Sequence, residues 1–591
     1  MATLISNSGI QFIEWTGSFD FTHLKDTIRL NYRSVFAEID DVYGWSYDEL
    51  TKVDGRSTKA VCFANGNNGE LKDCEFPDGP EWYRTSYLNS IEKNNIFGVP
   101  EFHLEPEIRK FESDGGQRVD DNVLESLSNH RRTLLAFSKK WIPLPYCKET
   151  QMGIESRLSD LPPPRIYIDE IAENKFHFVI AVQTDGSNPK ANVDENRYAL
   201  TSNINSILEI LKRANGGSWI DEYLKSMIYG DSAEKASEEK AKHIANYILL
   251  VKAVESAFSN QSSIEFAPSN VIQTRSVDCF IDLGNSNTCV ILCEESEQND
   301  PERVFKNSAH LELRDFTNPI KSYTKPFPSK IVFSKPRFIN RDIPFDKFIW
   351  PSPLRIGNEA DTIISNEKMK DWLFDYRSHC SSPKRYLCDD EPSQFPWRFA
   401  NTSSAQSRID VSWPPTDNKI NNVGEYNEEY ITLMPHYSRS SLNRFAFIEI
   451  FAQAISQINS VKFREQNGDV FYKRLIRNIV ISCPTGMNLS DQALLRTYAE
   501  EALKILYKND EETPNVIPDP ASLNKLLRNP DSDRPDWMYD EATTTQIMFM
   551  YSELNHECKG HADLYNNLYG KNGSVRVASI DIGGGTSDLM I

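Results

Sequence analysis

The chain has 591 residues, 39% hydrophobic and 25% charged, with 65 Lys and Arg against 85 Asp and Glu for a formal net charge of −20. That length allows several sizeable cores, and the composition is that of a folded protein and not a disordered one. The acidic balance, with no concentrated basic run, excludes nucleic acid as an expected partner, and no stretch approaches the ~18 apolar residues expected of a membrane insertion.

From the start of the chain, "MATLISNSGIQFIEW" lacks the basic start and apolar core of a signal peptide. Cysteines are scattered, and Cys279, Cys289, Cys293 and Cys483 fall in strand-like runs, where the thiol acts as a small hydrophobe. A reducing cytoplasm is the expected location. "RIYIDEI" and "KFHFVIAVQTD" read as strands, and "TSNINSILEILKRANGG" as a helix stopped by Gly216 and Gly217. A longer helix follows from Asp231 and Glu234, with Ile244, Ile248, Val251, Val254 and Phe258 at helical spacing. Residues 1–260 are therefore read as an α/β domain with a recognition or regulatory role. It shows no glycine-rich phosphate loop after a strand and no nucleophile with a base. Trp45, Trp82, Trp141 and Trp219 are its candidate contact residues, although buried core is the commoner role for tryptophan. Residues 261–276, polar and rich in breakers, read as a linker.

The remainder, 277–591, opens on "VDCFIDLGNSNTCVILCEE": strand, tight turn, strand, with Asp282 directly before the turn of Gly284, Asn285, Ser286 and Asn287. It closes on "ASIDIGGGTSDLMI", where Asp581 precedes Gly583, Gly584, Gly585 and Thr586. Small residues in such turns let phosphate oxygens approach the main chain and accept several N–H bonds. A carboxylate beside phosphates makes sense when a magnesium ion lies between them. Either turn alone also fits a plain hairpin; two copies of strand, aspartate and turn suggest two loops facing one nucleotide. Between them, "RNIVISCPTG" reads as a strand leading into a helix capped at Asn488 with Asp491 in its first turn. "HECKGH" offers His556, Cys558 and His561 as ligands without a fourth partner, and reads better as a polar helix end than as a zinc site.

Those two turns resemble the phosphate loops of the actin-like ATPase superfamily, and most closely those of the nucleotide-binding domain of the seventy-kilodalton heat-shock chaperones. Ordered segments between them resemble the same domain: "FPSKIVF" with "LRIGNEA", "SPKRYL", "NIVISCPTGMNLSDQALLRTYAEEA" and "YDEATTTQIMFMYSEL". The resemblance implies an α/β chain whose N-terminal module is followed by the first lobe of an actin-like, ribonuclease-H-like ATPase and the start of its second lobe. It implies ATP and Mg2+ as ligands, with Asp282 and Asp581 placing the ion. Lys384 would face the γ-phosphate, and Glu541 and Asp588 would order the attacking water or the waters of the magnesium. Asn285 stands where those chaperones have threonine and Ala542 where they have proline, which makes nucleotide binding the firmer expectation and hydrolysis the weaker. The rest of the second lobe would then follow Ile591 or come from a partner chain, and residues 1–591 alone would turn over little ATP.

"LISNSGIQFIEW" and "WIPLPYC", ahead of such a domain, also resemble the bacterial virulence-factor SrfB family. Together these imply an ATP-dependent, chaperone-like conformational switch acting on a protein client or partner subunit. The alternatives are a non-catalytic actin-like scaffold or filament protein and, behind both, a small-molecule kinase of the same superfamily.

Overall fold

The structure is a computed structural model and describes residues 2–18, 42–51, 57–65, most of 135–184, 197–202, parts of 206–268, 272–295, 308–333, 354–368, 379–389, most of 440–507, 512–531, 540–582 and 587–590. These belong to two compact units, the first built from Met1–Leu4 and Ile13–Pro268, the second from Ile5–Phe12 and most of the chain after Ser269. Both mix strands and helices, so the fold class is α/β.

In the first unit one sheet orders the strand Ile10–Ser18 from Ile13 onward, then Lys175–Gln183, Arg165–Ala172 and Trp141–Pro143. A second orders Ala2–Leu4, Ser263–Phe266, Arg197–Leu200, Tyr146–Thr150 and Gly153–Leu158. Aromatic and β-branched residues dominate the buried strand positions, among them Ile166, Tyr167, Ile168, Phe178, Val179 and Ile180. Helices Ser218–Tyr229 and Lys242–Ala257 cover that core. Each anchors a buried tyrosine hydroxyl on a strand carbonyl, Tyr223 to Trp141 at 2.5 Å and Tyr247 to Pro143 at 2.7 Å. Trp141 is buried, as expected of core; the side chains of Trp45, Trp82 and Trp219 lie outside the described residues, as do Gly216, Gly217, Asp231 and Glu234.

The stretch 261–276 is not a simple linker. Ser263–Phe266 is a buried strand, parallel to Ala2–Leu4 and antiparallel to Arg197–Leu200, and Gln273 already begins the next strand. Burying a short strand among polar neighbours is possible because its backbone groups pair on both sides. Ile5–Phe12 likewise departs from the expected 1–260 module, since it belongs to the second unit. There Ser456 Oγ donates to the Ile10 carbonyl, and Gly9, at φ +77°, lies against Ile455.

The second unit is organised by a sheet of β1 (Gln273–Leu283), β2 (Asn287–Glu294), β3 (Ser308–His310), β4 (Tyr472–Ile481) and β5 (Asn515–Ile517), in the order β3-β2-β1-β4-β5. The first three are antiparallel neighbours; β4 and β5 run parallel to β1. Its helices are α1 (Gly357–Lys368), α2 (Leu442–Ile458), α3 (Leu489–Leu506), α4 (Pro520–Arg528) and α5 (Glu541–Ser552). α2 is almost wholly buried, its polar residues included: Asn443, Arg444, Glu449, Gln453 and Ser456 lie in the core with partners on other segments. α3 begins as the sequence predicts, with the Asn488 side chain accepting from the Asp491 N–H at 2.8 Å.

Candidate functional site

β1 and β4 run side by side, and their carboxyl ends leave the sheet together. At this point the strand order departs in opposite directions, toward β2 on one side and β5 on the other. Ligand crevices of open α/β sheets form at such ends.

β1 delivers Asp282, which is exposed, and then turns at once. Gly284 is required there, because a Cβ would sit 2.3 Å from the Asn287 carbonyl oxygen. Ser329 holds the turn from behind: its hydroxyl donates to the Gly284 carbonyl at 2.6 Å and meets Thr288 Oγ1 at 2.8 Å, while its N–H donates to Ser286 at 2.8 Å. Ser286 and Asn287 face outward and are exposed. Asn285 Oδ1 is buried and has no hydrogen-bond partner among the described residues. β4 delivers Ser482, whose N–H donates to the Ile281 carbonyl at 3.0 Å and whose hydroxyl reaches Asp282 Oδ1 at 3.3 Å.

Two distant segments reach the same end of the sheet. The short 3-10 turn Pro383–Tyr386 carries Lys384, and Ser382 ahead of it donates to the Asn285 carbonyl at 2.6 Å. Asn443 on α2 fixes the same turn through the Pro383 carbonyl at 3.0 Å. α5 starts at Glu541, behind the cap Asp540, whose carboxylate accepts from the Thr543 N–H at 2.7 Å. The Glu541 N–H donates to the Cys483 carbonyl at 2.9 Å, which ties the helix to the end of β4. Lys384 and Glu541, separated by 157 residues in sequence, then pair at 2.9 Å. The Lys384 side chain is 4% exposed and that of Glu541 16%.

Beneath the pair lies a layer that sequence reasoning missed. Arg496 on α3 is fully buried; it donates to the Ile481 carbonyl at 2.9 Å and to Cys483 Sγ at 3.3 Å. Burial pushes the Cys483 thiol up, against the pull of Arg496 and Lys384, so it stays a neutral thiol. The available signal was weak: an arginine on an amphipathic helix ordinarily reads as a solvated position.

The final hairpin pairs Ser579–Ile582 with Ser587–Met590, and Asp581 stands directly opposite Asp588 in register. α5 packs against both strands, and Gln546 donates to the Val577 carbonyl at 3.0 Å. The structure thus joins Asp282, the Gly284–Asn287 turn, Lys384 and Glu541 into one ring of contacts, with Asp581 and Asp588 on a hairpin against α5. The turn residues Gly583, Gly584, Gly585 and Thr586 lie outside the described residues. Among the described residues, no group of three His, Cys, Asp or Glu side chains is arranged to hold a metal, and Cys558 of "HECKGH" is buried. No described helix is long and apolar enough to cross a membrane.

No curated protein matches the chain. The family model described as "Virulence factor SrfB" matches residues 186–591, more than two thirds of its length and the whole of the crevice described above. The chain belongs to the SrfB family.

Proposed function

We propose that the second unit is an actin-like lobe that binds Mg-ATP and acts as a chaperone-like conformational switch. The observation that carries this reading is the convergence of Lys384 and Glu541 beside a glycine-dependent turn, at the carboxyl ends of two parallel strands. The residues present fit such a ligand. Gly284 leaves the turn open to close main-chain approach, and the buried, unpartnered Asn285 Oδ1 is an acceptor that a magnesium-bound water, and not a phosphate oxygen, would satisfy. Asp282 is exposed at the rim, and it would hold magnesium together with Asp581. Bound magnesium supplies neutralising charge for the phosphates.

Gly284, Asn285, Ser286 and Asn287, with Gly583, Gly584, Gly585 and Thr586, would line the phosphates. Lys384 would stabilise charge on the terminal phosphate, the main catalytic contribution when phosphoryl transfer proceeds by positioning and electrostatics. Glu541, at the N-terminal end of α5, and Asp588 would orient water. A protein partner is supported by Ile547, Met548, Phe549, Met550 and Tyr551 of α5, each 38–53% exposed, and by Ile580 and Ile582 at 68% and 80%.

Phosphate release by the full-length protein with Mg-ATP tests the reading. Asp581→Asn keeps the shape of the side chain and removes its charge, and should impair magnesium-dependent hydrolysis far more than folding. Nucleotide binding without turnover would leave the scaffold, and acceleration by a sugar would indicate the kinase.

A further inference from the structure

The side chain assigned to a phosphate is already occupied. Lys384 Nζ donates to Glu541 Oε1 at 2.9 Å with almost none of its side chain open to solvent. Neither backbone is free to drift. Glu541 is tied to Cys483, and Cys483 in turn to the buried Arg496. The Lys384 turn is tied through Ser382 to Asn285 and through Pro383 to Asn443. What remains adjustable is the flexible four-carbon stem of the lysine.

We propose that the Lys384–Glu541 ion pair is a latch that a nucleoside triphosphate opens and a diphosphate does not. Glu541 holds the lysine in the pair, and an arriving γ-phosphate would take it over. The inference rests on the nucleotide reading above and adds to it a means of distinguishing ATP from ADP.

The exchange has a direction set by charge. Removing one partner from a shielded ion pair leaves the other uncompensated, so nothing weaker than a carboxylate displaces it. A terminal phosphate carries close to two negative charges and three acceptor oxygens against the single charge of Glu541. The Glu541 carboxylate released by the exchange stays at the positive end of α5, where its charge is stabilised, and becomes an acceptor for water. The turn that carries Lys384 is bonded to the first phosphate loop through Ser382, so lysine transfer and loop position are coupled by one hydrogen bond.

A double-mutant cycle on the full-length protein tests this, with wild type, Glu541→Gln, Lys384→Met and the double variant. Each is titrated with ADP and with a non-hydrolysable ATP analogue, both with magnesium. The latch predicts that Glu541→Gln binds the analogue about tenfold more tightly while ADP affinity stays within about twofold, and that the gain vanishes when Lys384 is Met. Removing a carboxylate near phosphates also relieves plain repulsion, but that gain would appear with ADP and survive in the Lys384→Met background. Either result overturns the latch, as does an unchanged analogue affinity in Glu541→Gln. If no form binds either nucleotide, the nucleotide reading fails and the latch with it. Should Glu541→Gln not fold, Glu541→Asp, one methylene shorter, is read against the same outcomes.

Discussion

The two units handle buried polar groups differently. In the first they close locally on the scaffold: the Tyr223 and Tyr247 hydroxyls end on strand carbonyls, and the buried His243 meets Asp221 on the neighbouring helix at 2.6 Å. Each of these contacts fastens a helix to a neighbouring element. In the second, Lys384, Asn443, Arg496 and Glu541 come from widely separated segments and converge on one edge of the sheet, beside the exposed Asp282, Ser286 and Asn287. Convergence of buried charge beneath an exposed polar rim distinguishes a site from a fastening, and the comparison can be broken by experiment.

The largest effect is expected at Lys384. Lys384→Ala removes the cation assigned to the terminal phosphate and should lower ATP turnover in the full-length protein by about 100-fold or more. Rates within about threefold of wild type would make the pair with Glu541 a fastening like those of the first unit. Next comes Gly284→Ala. Its Cβ would meet the Asn287 carbonyl oxygen at 2.3 Å, a main-chain atom that cannot swing away, so the turn must shift. Nucleotide affinity should fall by about tenfold, equivalent to ~1.4 kcal/mol, while the circular dichroism spectrum stays native. Unchanged affinity would remove that turn from the site.

The expected roles of Lys384, Glu541 and Asp282 came from segment order, a signal that survives insertions between the segments. The supports could not be read in the same way. Arg496 falls on the apolar stripe of α3, three residues from Ala493 and Ala499 and seven from Leu503, but the spacing does not say what a buried arginine there would meet. Its partners are the Ile481 carbonyl and the Cys483 thiol at the end of β4, which only tertiary packing brings near. Ser263–Phe266 escaped for a related reason. Four residues are too few for a period-two pattern to emerge, and the strand is defined by pairing with Ala2–Leu4 from the opposite end of the unit. The β1–β2 hairpin was legible because both halves carry their own alternation and the turn its own glycine.

Acidity should separate the two units by sign. In the second, burial and the neighbouring Glu359 carboxylate push Asp315 up to about 7, against Lys321 and Tyr323. An acid raised on folding stabilises the native state fully below its unfolded value of 3.8, and the gain is lost as pH rises toward about 7. The loss is at most about 4 kcal/mol, and about half that allowing for solvent screening. In the first unit, burial would raise Asp221, but hydrogen bonds from His243 and Lys225 outweigh it and hold the carboxyl below its ordinary value. Its contribution is present above about pH 4 and lost on further acidification. Thermal unfolding between pH 3 and 8 should show Asp315→Asn flattening the loss toward neutral pH and Asp221→Asn flattening the loss in acid. The same sign for both variants would refute the assignment.

The smallest expected effect lies in the first unit. Tyr247→Phe removes one hydroxyl that donates to the Pro143 carbonyl from a fully buried position on helix Lys242–Ala257. The ring remains, so packing among Ile248, Val251 and their neighbours is preserved and no sizeable cavity opens. What is lost is one hydrogen bond, and the carbonyl it satisfied is left without that donor. Such a change costs about 1–2 kcal/mol, a fall of a few degrees in the unfolding midpoint of this unit. ATP turnover should stay at the wild-type rate, because the contact fastens a helix to a strand and touches none of the residues assigned to the crevice. A turnover defect in Tyr247→Phe at a temperature where the protein is fully folded would mean that the first unit takes part in the reaction. The contrast between fastening and site would then have to be redrawn across both units.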